Sequence, residues 1–311
     1  TTRSAFTMSA RPRLGYIGVG LMGGPMVERL LSIGYAVCAF DIDPARLGAV
    51  ERAGARRAND AADAIAGAEL ILLNLPSAQA VEEAAFGAHG FAGRLKPPQL
   101  VVDFSTIPAT KSREFAERIA SASRCGWVDA PVSGGPAASG GGSLTIMAGG
   151  ADADIGRVRP LMDDIGEQFT HVGPTGAGSV AKTIAQLVVG CTYVVLAEAA
   201  RLAEGAGIDP AILPRSVSKG HADGVLMQHL YPRIAAHDFA PRAYARQLLK
   251  DLEAVQDLAR AAKTPAPMSG LATQLYRLLI AAGHSEIDAC GIYKLYEAQP
   301  SREPRRQGAH P

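Results

Sequence analysis

A glycine-rich turn near the start of the chain constrains the fold more than any other feature of the sequence. Leu14–Val19 is an apolar run typical of a buried strand, and the apolar spacing of Leu21–Ile33 predicts a helix. The strand and the helix share a turn with GxGxxG spacing, Gly18-Val19-Gly20-Leu21-Met22-Gly23. Tyr35–Phe40 predicts a second strand, so this segment as a whole predicts a strand–helix–strand unit of a doubly wound sheet.

The glycines of this turn meet the physical requirements of a dinucleotide-binding site. Gly18 would allow the tight turn, Gly20 would let the backbone approach a pyrophosphate, and Gly23 would let helix and strand pack closely. The N-terminus of the helix adds N–H donors and a partial positive charge for the phosphates. An acidic residue, Asp41, ends the next predicted strand, as this pattern requires. We therefore predict that the turn binds a dinucleotide.

Asp41 indicates which dinucleotide is bound. It follows Gly18 by 23 positions, close to the offset of roughly 20 residues at which a carboxylate binds the adenosine ribose hydroxyls. Such a carboxylate repels a 2′-phosphate, and the next residue is Ile42 rather than arginine, so we expect NAD in preference to NADP. Two alternatives stay open, since Asp41 could only cap the turn Asp41–Pro44, and Arg46 could pair with a phosphate.

Alternation of strands and helices continues to about Val172 and predicts an α/β domain with a mostly parallel, doubly wound sheet. Further apolar runs predict strands at Leu70–Leu75, Leu100–Phe104, Gly126–Asp129 and Leu144–Ala148. After residues 173–178, where three glycines punctuate the chain, the pattern becomes helical, at 179–205, 210–217, 225–236, 244–262 and 269–282. The helix 179–205 is apolar nearly all round, so we expect it to be buried between domains or subunits.

The sequence thus predicts two domains and two tails. We expect a nucleotide-binding domain over 13–173, an all-helical domain over 174–298 that begins with the long helix, and disordered tails at 1–12 and 299–311.

The chain has 31 Lys and Arg residues against 30 Asp and Glu residues, a net charge of +1, which argues against a nucleic-acid-binding protein.

The cysteines and the apolar segments predict a soluble cytoplasmic protein without a metal. Four cysteines lie far apart, and neither they nor the histidines have metal-ligand spacing. Residues 1–13 lack the apolar core of a signal peptide, and the longest uncharged stretch, Thr183–Ala197, is shorter than a membrane span. We therefore expect reduced thiols, no metal and no membrane contact.

Five separate motifs follow one another along the chain. They are Gly18–Gly23 with Pro25-Met26, Asp103-Phe104-Ser105-Thr106, Asp129-Ala130-Pro131-Val132-Ser133-Gly134-Gly135, Gly176-Ala177-Gly178 leading to Lys182, and Lys250-Asp251-Leu252. With these motifs the chain resembles the β-hydroxyacid dehydrogenase family, whose best-known type is 3-hydroxyisobutyrate dehydrogenase. The resemblance runs from Leu14 to about Glu297. It implies a Rossmann domain, a long connecting helix, a helical C-terminal domain, and NAD-dependent oxidation of a small hydroxy acid.

The resemblance also implies the catalytic residues. Lys182 matches the family's catalytic lysine, which relays the proton of the substrate hydroxyl as hydride leaves its carbon. Lys250 would lie near both the nicotinamide and the substrate, where its charge lowers the pKa of the catalytic lysine. A lone lysine on a helix is more often simply solvated, but Lys182 stands in an apolar helix behind a glycine-rich turn.

Three further positions match the family's cofactor and substrate sites. Ser133, Gly134 and Gly135 offer a hydroxyl and backbone N–H groups suited to a substrate carboxylate, although a flexible loop is the plainer interpretation. Thr106 matches a position beside the nicotinamide ring, and Leu75 and Pro76 match a loop along the cofactor. The last three residues could equally be ordinary residues at strand ends.

Gln186 departs from the family pattern. The family has asparagine four positions after the catalytic lysine, whereas Gln186 keeps the amide and extends it by one methylene. The i,i+4 spacing puts Gln186 and Lys182 on one helix face. Branches that act on polyhydroxylated acids such as threonate resemble this chain in having glutamine here, so the expected substrate is 3-hydroxyisobutyrate-like or polyhydroxylated.

Other functions of the same fold stay open. A decarboxylating phosphogluconate-type dehydrogenase needs a longer helical domain, and imine reductases typically lack the lysine. A non-catalytic dinucleotide sensor would not need Lys182, Lys250 and the Ser133 turn together. The long apolar helix and the resemblance both predict a homo-oligomer, a dimer or tetramer.

Overall fold

The computed structural model describes residues 11–297. It divides into two compact units within one long helix, the first ending at Gln186 and the second beginning at Leu187. Nearly all of the two predicted tails lies outside the described residues. Arg11, at the start of the described part, forms an ion pair with Asp164 and lies over the ring of Tyr35, 4.5 Å from its centroid.

The first unit is built on one sheet, which contains nine strands within the described residues. The strands are β1 Leu14–Ile17, β2 Val37–Phe40, β3 Arg56–Arg57, β4 Leu70–Leu73, β5 Leu100–Asp103, β6 Gly126–Asp129, β7 Val132–Ser133, β8 Leu144–Gly149 and β9 Gly166–Gly173. Their order is β3-β2-β1-β4-β5-β6-β8-β7, with β9 beside β8. Strands β1 to β6 pair in parallel, whereas β8 is antiparallel to β6 and β7.

Helices cover both faces of this sheet. They are α1 Gly23–Ser32, α2 Pro44–Arg52, α3 Ala61–Ala64, α4 Ala78–Phe86, α5 Ala109–Ser123, α6 Gly135–Gly141 and α7 Asp152–Ile165, with a 3-10 turn at Ala92–Arg94. Alternate strand residues enter two separate cores, since Leu70 and Leu72 belong to one and Ile71 and Leu73 to the other. A sheet buried on both faces explains why these strands are apolar throughout rather than alternating.

The second unit is helical. The long helix α8, Ala177–Gly205, is followed by α9 Leu213–Val217, α10 Val225–His229, α11 Tyr231–Ala235, α12 Ala245–Ala261 and α13 Pro267–Ala281, with 3-10 turns at Pro210–Ile212 and Ala289–Leu295. The segment predicted as one helix over 225–236 is two short helices. Pro232 explains the interruption, because proline has no N–H to continue the hydrogen-bond ladder.

One face of α8 stays exposed along its length in the single chain, so burial of this helix within its own chain is incomplete. Ile184, Val188, Val195 and Leu202 are exposed by 54%, 59%, 51% and 72%. Successive members of this set lie four or seven residues apart, so they form one apolar stripe on the helix.

Candidate functional site

The residues predicted to bind the cofactor follow strands whose carboxyl ends share one edge of the parallel sheet. The glycine-rich turn follows β1, Asp41 follows β2, Leu75 and Pro76 follow β4, and Thr106 follows β5. Strand β1 pairs with β2 on one side and with β4 on the other. The chain order therefore reverses direction at β1, and ligands of open α/β sheets bind at the carboxyl edge beside such a reversal.

The glycine-rich turn packs its backbone closely at Gly18 and Gly23 and leaves more room at Gly20. Gly18 has φ +96°, and a Cβ added there would lie 2.8 Å from Leu75 Cδ2 and closer still to the Asn74 carbonyl oxygen. A Cβ on Gly23 would collide with Gly18 O, so strand and helix are in direct backbone contact there. A Cβ added to Gly20 would have Arg46 Nη1 as its nearest neighbour, at 3.6 Å. No backbone atom of another segment crowds Gly20, and only the Arg46 side chain lies beside it, which suits the close approach of a pyrophosphate.

Asp41 holds the backbone of this turn. One carboxylate oxygen accepts the Val19 N–H at 2.8 Å and the other accepts the Asp43 N–H at 2.8 Å. A carboxylate has about four acceptor positions, so these two bonds leave capacity for ribose hydroxyls. Asp41 therefore caps its own turn, and this role is compatible with binding a ribose.

The position of Asp41 leads to a cofactor-exchange prediction. We expect kcat/KM to be higher with NAD than with NADP, and the variant Asp41→Asn with Ile42→Arg to reduce that ratio about tenfold or more. Ile42 is 90% exposed, so an arginine there has room to reach a 2′-phosphate through a charge-assisted bond.

Steady-state kinetics of the wild type, the double variant and Ile42→Arg alone test this expectation. The single variant is the control because it keeps both hydrogen bonds of Asp41 to the backbone. A wild-type preference for NADP would contradict the role given to Asp41.

The two strand-end loops along the predicted cofactor groove are joined by hydrogen bonds. The Leu75 N–H donates to Ser105 Oγ at 2.9 Å, and the Ser105 N–H donates to Asp103 Oδ1 at 2.8 Å. Asp103 and Ser105 are buried, whereas Pro76 is exposed and Thr106 is partly exposed. The loop after β4 and the loop after β5 therefore form one connected surface.

The Ser133-Gly134-Gly135 turn lies between β7 and α6. Gly134 and Gly135 have φ of +130° and +73°, left-handed values that favour glycine, so the turn depends on these two residue types. Ser139 of α6 is buried and donates to Met22 O at 2.8 Å. This bond ties the helix that follows the serine turn to the glycine-rich turn.

Lys182 and Gln186 lie one helical turn apart on α8, within the first unit. Lys182 is only 7% exposed, and Gln186 is partly exposed. A lysine is rarely so deeply buried unless its ammonium group is paired. Thr183, beside it, donates its hydroxyl to Ser179 O at 2.8 Å, as is common for threonine within a helix.

Lys250 belongs to the second unit. It lies on α12, its side chain is 39% exposed, and its ammonium group lies 3.4 Å from Asp251 Oδ1. All the other predicted site residues belong to the first unit.

A cavity of about 520 Å³ lies at the opposite edge of the sheet. It is lined in part by Arg13 and Gln99, which precede β1 and β5, and by Arg94 and Lys96. None of the predicted site residues lines it.

Comparison with known proteins identifies the family. The family described as the NAD binding domain of 6-phosphogluconate dehydrogenase matches residues 13–173, and the one described as NAD-binding of NADP-dependent 3-hydroxyisobutyrate dehydrogenase matches residues 176–296. The chain belongs to the β-hydroxyacid dehydrogenase family. As a member of this family it binds NAD and is an oxidoreductase that acts on the hydroxyl group of a hydroxy acid.

Individual relatives in the family are similar over their whole length. The NAD-dependent L-serine dehydrogenase of Pseudomonas aeruginosa is 33% identical over 92% of this chain and 98% of its own. The 3-hydroxyisobutyrate dehydrogenase of the same species is 35% identical over 92% and 99%. A crystal structure of 3-hydroxyisobutyrate dehydrogenase from Salmonella typhimurium aligns with a TM-score of 0.85 at 27% identity, covering 92% and 100%.

The sequence did not predict that two serines near the site form specific long-range hydrogen bonds. Ser105 bonds a backbone group 30 positions away and Ser139 one 117 positions away. Serine is common in loops and helix ends, and nothing in its local sequence indicates a distant backbone partner. Only the fold brings these pairs together.

Proposed function

We propose that this protein oxidises the hydroxyl group of a small hydroxy acid with NAD, and that Lys182 is the general acid/base. The burial of Lys182 on α8 is the observation that carries the proposal. Bound NAD would supply the hydride acceptor, and the open backbone at Gly20 with the ribose-binding carboxylate of Asp41 would hold it. The nucleotide would be held by residues 13–173, and residues 174–298 would complete the substrate side.

Lys182 would move the proton of the substrate hydroxyl. When the hydroxyl carbon loses hydride, the oxygen must lose its proton, and a neutral amine can accept it. We propose that Lys250 supplies a second positive charge, which favours the neutral form of Lys182. In the reverse direction the protonated lysine would return the proton to the carbonyl oxygen.

The Ser133 turn and Gln186 would bind the rest of the substrate. The serine hydroxyl and the N–H groups of Gly134 and Gly135 would suit a carboxylate, because each can donate a hydrogen bond to it. Gln186 lies on the same helix face as Lys182, so its amide would bond a carboxylate oxygen or a hydroxyl near the reacting carbon.

The proposed substrate class is a short acid with a hydroxyl group near its carboxylate. L-serine and 3-hydroxyisobutyrate, named for two of the relatives, each have a carboxylate and a primary hydroxyl. Glutamine at position 186 favours an acid with additional hydroxyls, such as threonate, over 3-hydroxyisobutyrate itself.

NADH formation at 340 nm across a panel of hydroxy acids tests the proposal. The panel should include L-serine, 3-hydroxyisobutyrate, threonate and 6-phosphogluconate, and each acid should be tested with NAD and with NADP. We expect turnover with at least one short, unphosphorylated acid. NAD binding without turnover of any acid would indicate a dinucleotide sensor instead, and turnover of 6-phosphogluconate alone would contradict the proposed substrate class.

The exposed stripe on α8 leads us to propose a homo-oligomer. We expect light scattering at micromolar concentration to give two or four times the chain mass of 32.3 kDa. An uncovered stripe of four large apolar side chains is more typical of a subunit interface than of a solvated surface. A mass near that of one chain would contradict the oligomer.

Substitutions on the stripe locate the interface. Val195→Glu and Leu202→Glu should each lower the mass, because a charge buried in an apolar contact is costly. Val172→Glu is the matched control, since Val172 is also exposed, at 43%, but lies on β9.

We also propose a cytoplasmic location, although the relative from Mus musculus is named a mitochondrial enzyme.

A further inference from the structure

The carboxylate of Asp129 binds the first turn of α8 at two points. Asp129 is the last residue of β6 and is 1% exposed. One of its oxygens accepts the Gly176 N–H at 2.6 Å, and the other accepts the Ser179 N–H at 2.7 Å. Lys182 follows Ser179 by three residues on the same helix, so this carboxylate fixes the turn that precedes Lys182.

Glycines hold the same turn directly against the sheet. A Cβ added to Gly178 would lie 2.6 Å from Asp129 O, 2.9 Å from Gly149 N and still closer to Met147 O. All three neighbours are backbone atoms at the ends of β6 and β8, which cannot move aside as a flexible side chain can. The start of α8 therefore packs on the sheet in one position, and the two hydrogen bonds of the Asp129 carboxylate hold it there.

The strand that ends at Asp129 leads straight to the proposed substrate turn. Only Ala130, Pro131 and Val132 separate Asp129 from Ser133, and Val132 and Ser133 pair with Ile146 and Thr145 of β8. A single side chain thus links the strand leading to Ser133 with the helix that carries Lys182.

The other side-chain caps in the first unit act over short distances in the sequence. Asp43, Asp60 and Ser77 accept N–H groups two or three residues further on, within their own helices. Asp129 instead reaches groups 47 and 50 residues away. A local cap fixes only the end of a helix, whereas this long-range cap fixes the helix to the sheet.

Burial of the Asp129 carboxyl carries an energetic cost. Burial raises the pKa of Asp129 above its usual range, while the hydrogen bonds from the two backbone N–H groups oppose that rise. The positive end of the α8 dipole also favours the charged form. A cap needed for stability alone could be a serine or asparagine, so a buried carboxyl that accepts two distant N–H groups, one at each oxygen, favours a role in the site.

We propose that Asp129 is a positioning residue, which holds the first turn of α8 so that Lys182 and the Ser133 turn keep a fixed separation. This inference rests on the proposed role of Lys182 as the acid/base. Asp129 itself touches neither the substrate nor the cofactor in this role.

Asp129→Asn tests the proposal with little change in side-chain size. The amide offers one acceptor oxygen where the carboxylate offers two, so the N–H of Gly176 or Ser179 loses its partner. We expect kcat per NADH-binding site to fall about tenfold, because misplacement of a catalytic group by a fraction of an ångström slows the chemical step. The KM for NAD should stay within a few-fold of the wild-type value.

Asp60→Asn is the matched control, because Asp60 also caps a helix, through the Asp63 N–H at 2.6 Å, and lies outside the proposed site. NADH titration by fluorescence counts the sites, so that misfolded protein is not mistaken for slow turnover. If the loss of activity equals the loss of NADH sites, Asp129 is merely structural and the proposal is wrong.

Amide hydrogen exchange over residues 176–183 supplies a readout that needs no substrate. With NADH bound, these amides should exchange faster in Asp129→Asn than in the wild type or in Asp60→Asn. Unchanged exchange would overturn the capping role, and faster exchange with unchanged kcat per site would overturn the positioning role. If the wild type turns over no hydroxy acid, the proposed function fails, whereas the exchange result still reports on the cap.

Discussion

Replacement of Lys182 by alanine is expected to lower kcat by about 10²–10⁴-fold and to leave the affinity for NAD within a few-fold of wild type. The physical reason is that alanine cannot accept the hydroxyl proton, so alkoxide character develops without a base beside it. Lys182 belongs to α8 rather than to the glycine-rich turn, so the cofactor should bind as before. Stopped-flow or steady-state NADH formation gives kcat, and displacement of fluorescent NADH by NAD gives the dissociation constant of NAD.

Lys182→Arg separates the charge of the residue from its proton transfer. Arginine keeps a positive charge but cannot be deprotonated near neutral pH, so it should be nearly as inactive as alanine. Lys96→Ala is the control, because Lys96 is exposed and lines the cavity at the opposite edge of the sheet. An alanine variant of Lys182 that keeps most of its kcat would rule out the proposed proton relay.

Gln186→Leu is expected to lower kcat/KM by about 5- to 150-fold, equivalent to roughly 1–3 kcal/mol of transition-state binding. Leucine is close to glutamine in volume but removes the amide that the proposal pairs with a polar atom of the substrate. The effect should be largest for the acid whose carboxylate or hydroxyl the amide binds. Steady-state kinetics with a three-carbon and a four-carbon hydroxy acid measures it.

Gln186→Asn should change the ratio between the two acids rather than abolish activity. Asparagine shortens the reach of the amide by one methylene, so the preferred chain length should shift. Gln274→Leu is the control, since Gln274 is an exposed glutamine on α13. If neither Gln186 variant alters the ratio or the absolute kcat/KM, then Gln186 only packs within the protein and provides no information about the substrate.

The sequence predicts the fold of the first unit well where local physics decides the structure. A side chain at Gly18 or Gly23 would clash with nearby backbone atoms, so the glycines in the sequence indicate that the backbone is closely packed there. Apolar runs such as Leu70–Leu75 predict strands because both faces of the sheet are buried. The observed strand β4 ends at Leu73, two residues sooner, since hydropathy does not mark where strand pairing stops.

Elements stabilised by distant partners were not predicted. Strand β7 has two residues, and α6 contains three glycines within seven residues, so neither has a local signal. The hydrogen bonds of Asp129 and Ser139 join residues far apart in the sequence. The composition of α8 also does not predict which of its faces is exposed, because an apolar helix has the same composition whether one face or all faces are covered.

Deuterium transfer from the substrate to the cofactor is the most direct test of the proposed reaction. The wild-type enzyme is supplied with NAD and a hydroxy acid that carries deuterium on its hydroxyl-bearing carbon, and the reduced cofactor is analysed by mass spectrometry and NMR. When every hydrogen on that carbon is replaced by deuterium, we predict that each NADH formed carries one deuterium at C4 of the nicotinamide, because the hydride comes from that carbon. NADH without deuterium, or consumption of the acid without reduction of NAD, would contradict hydride transfer from the hydroxyl-bearing carbon.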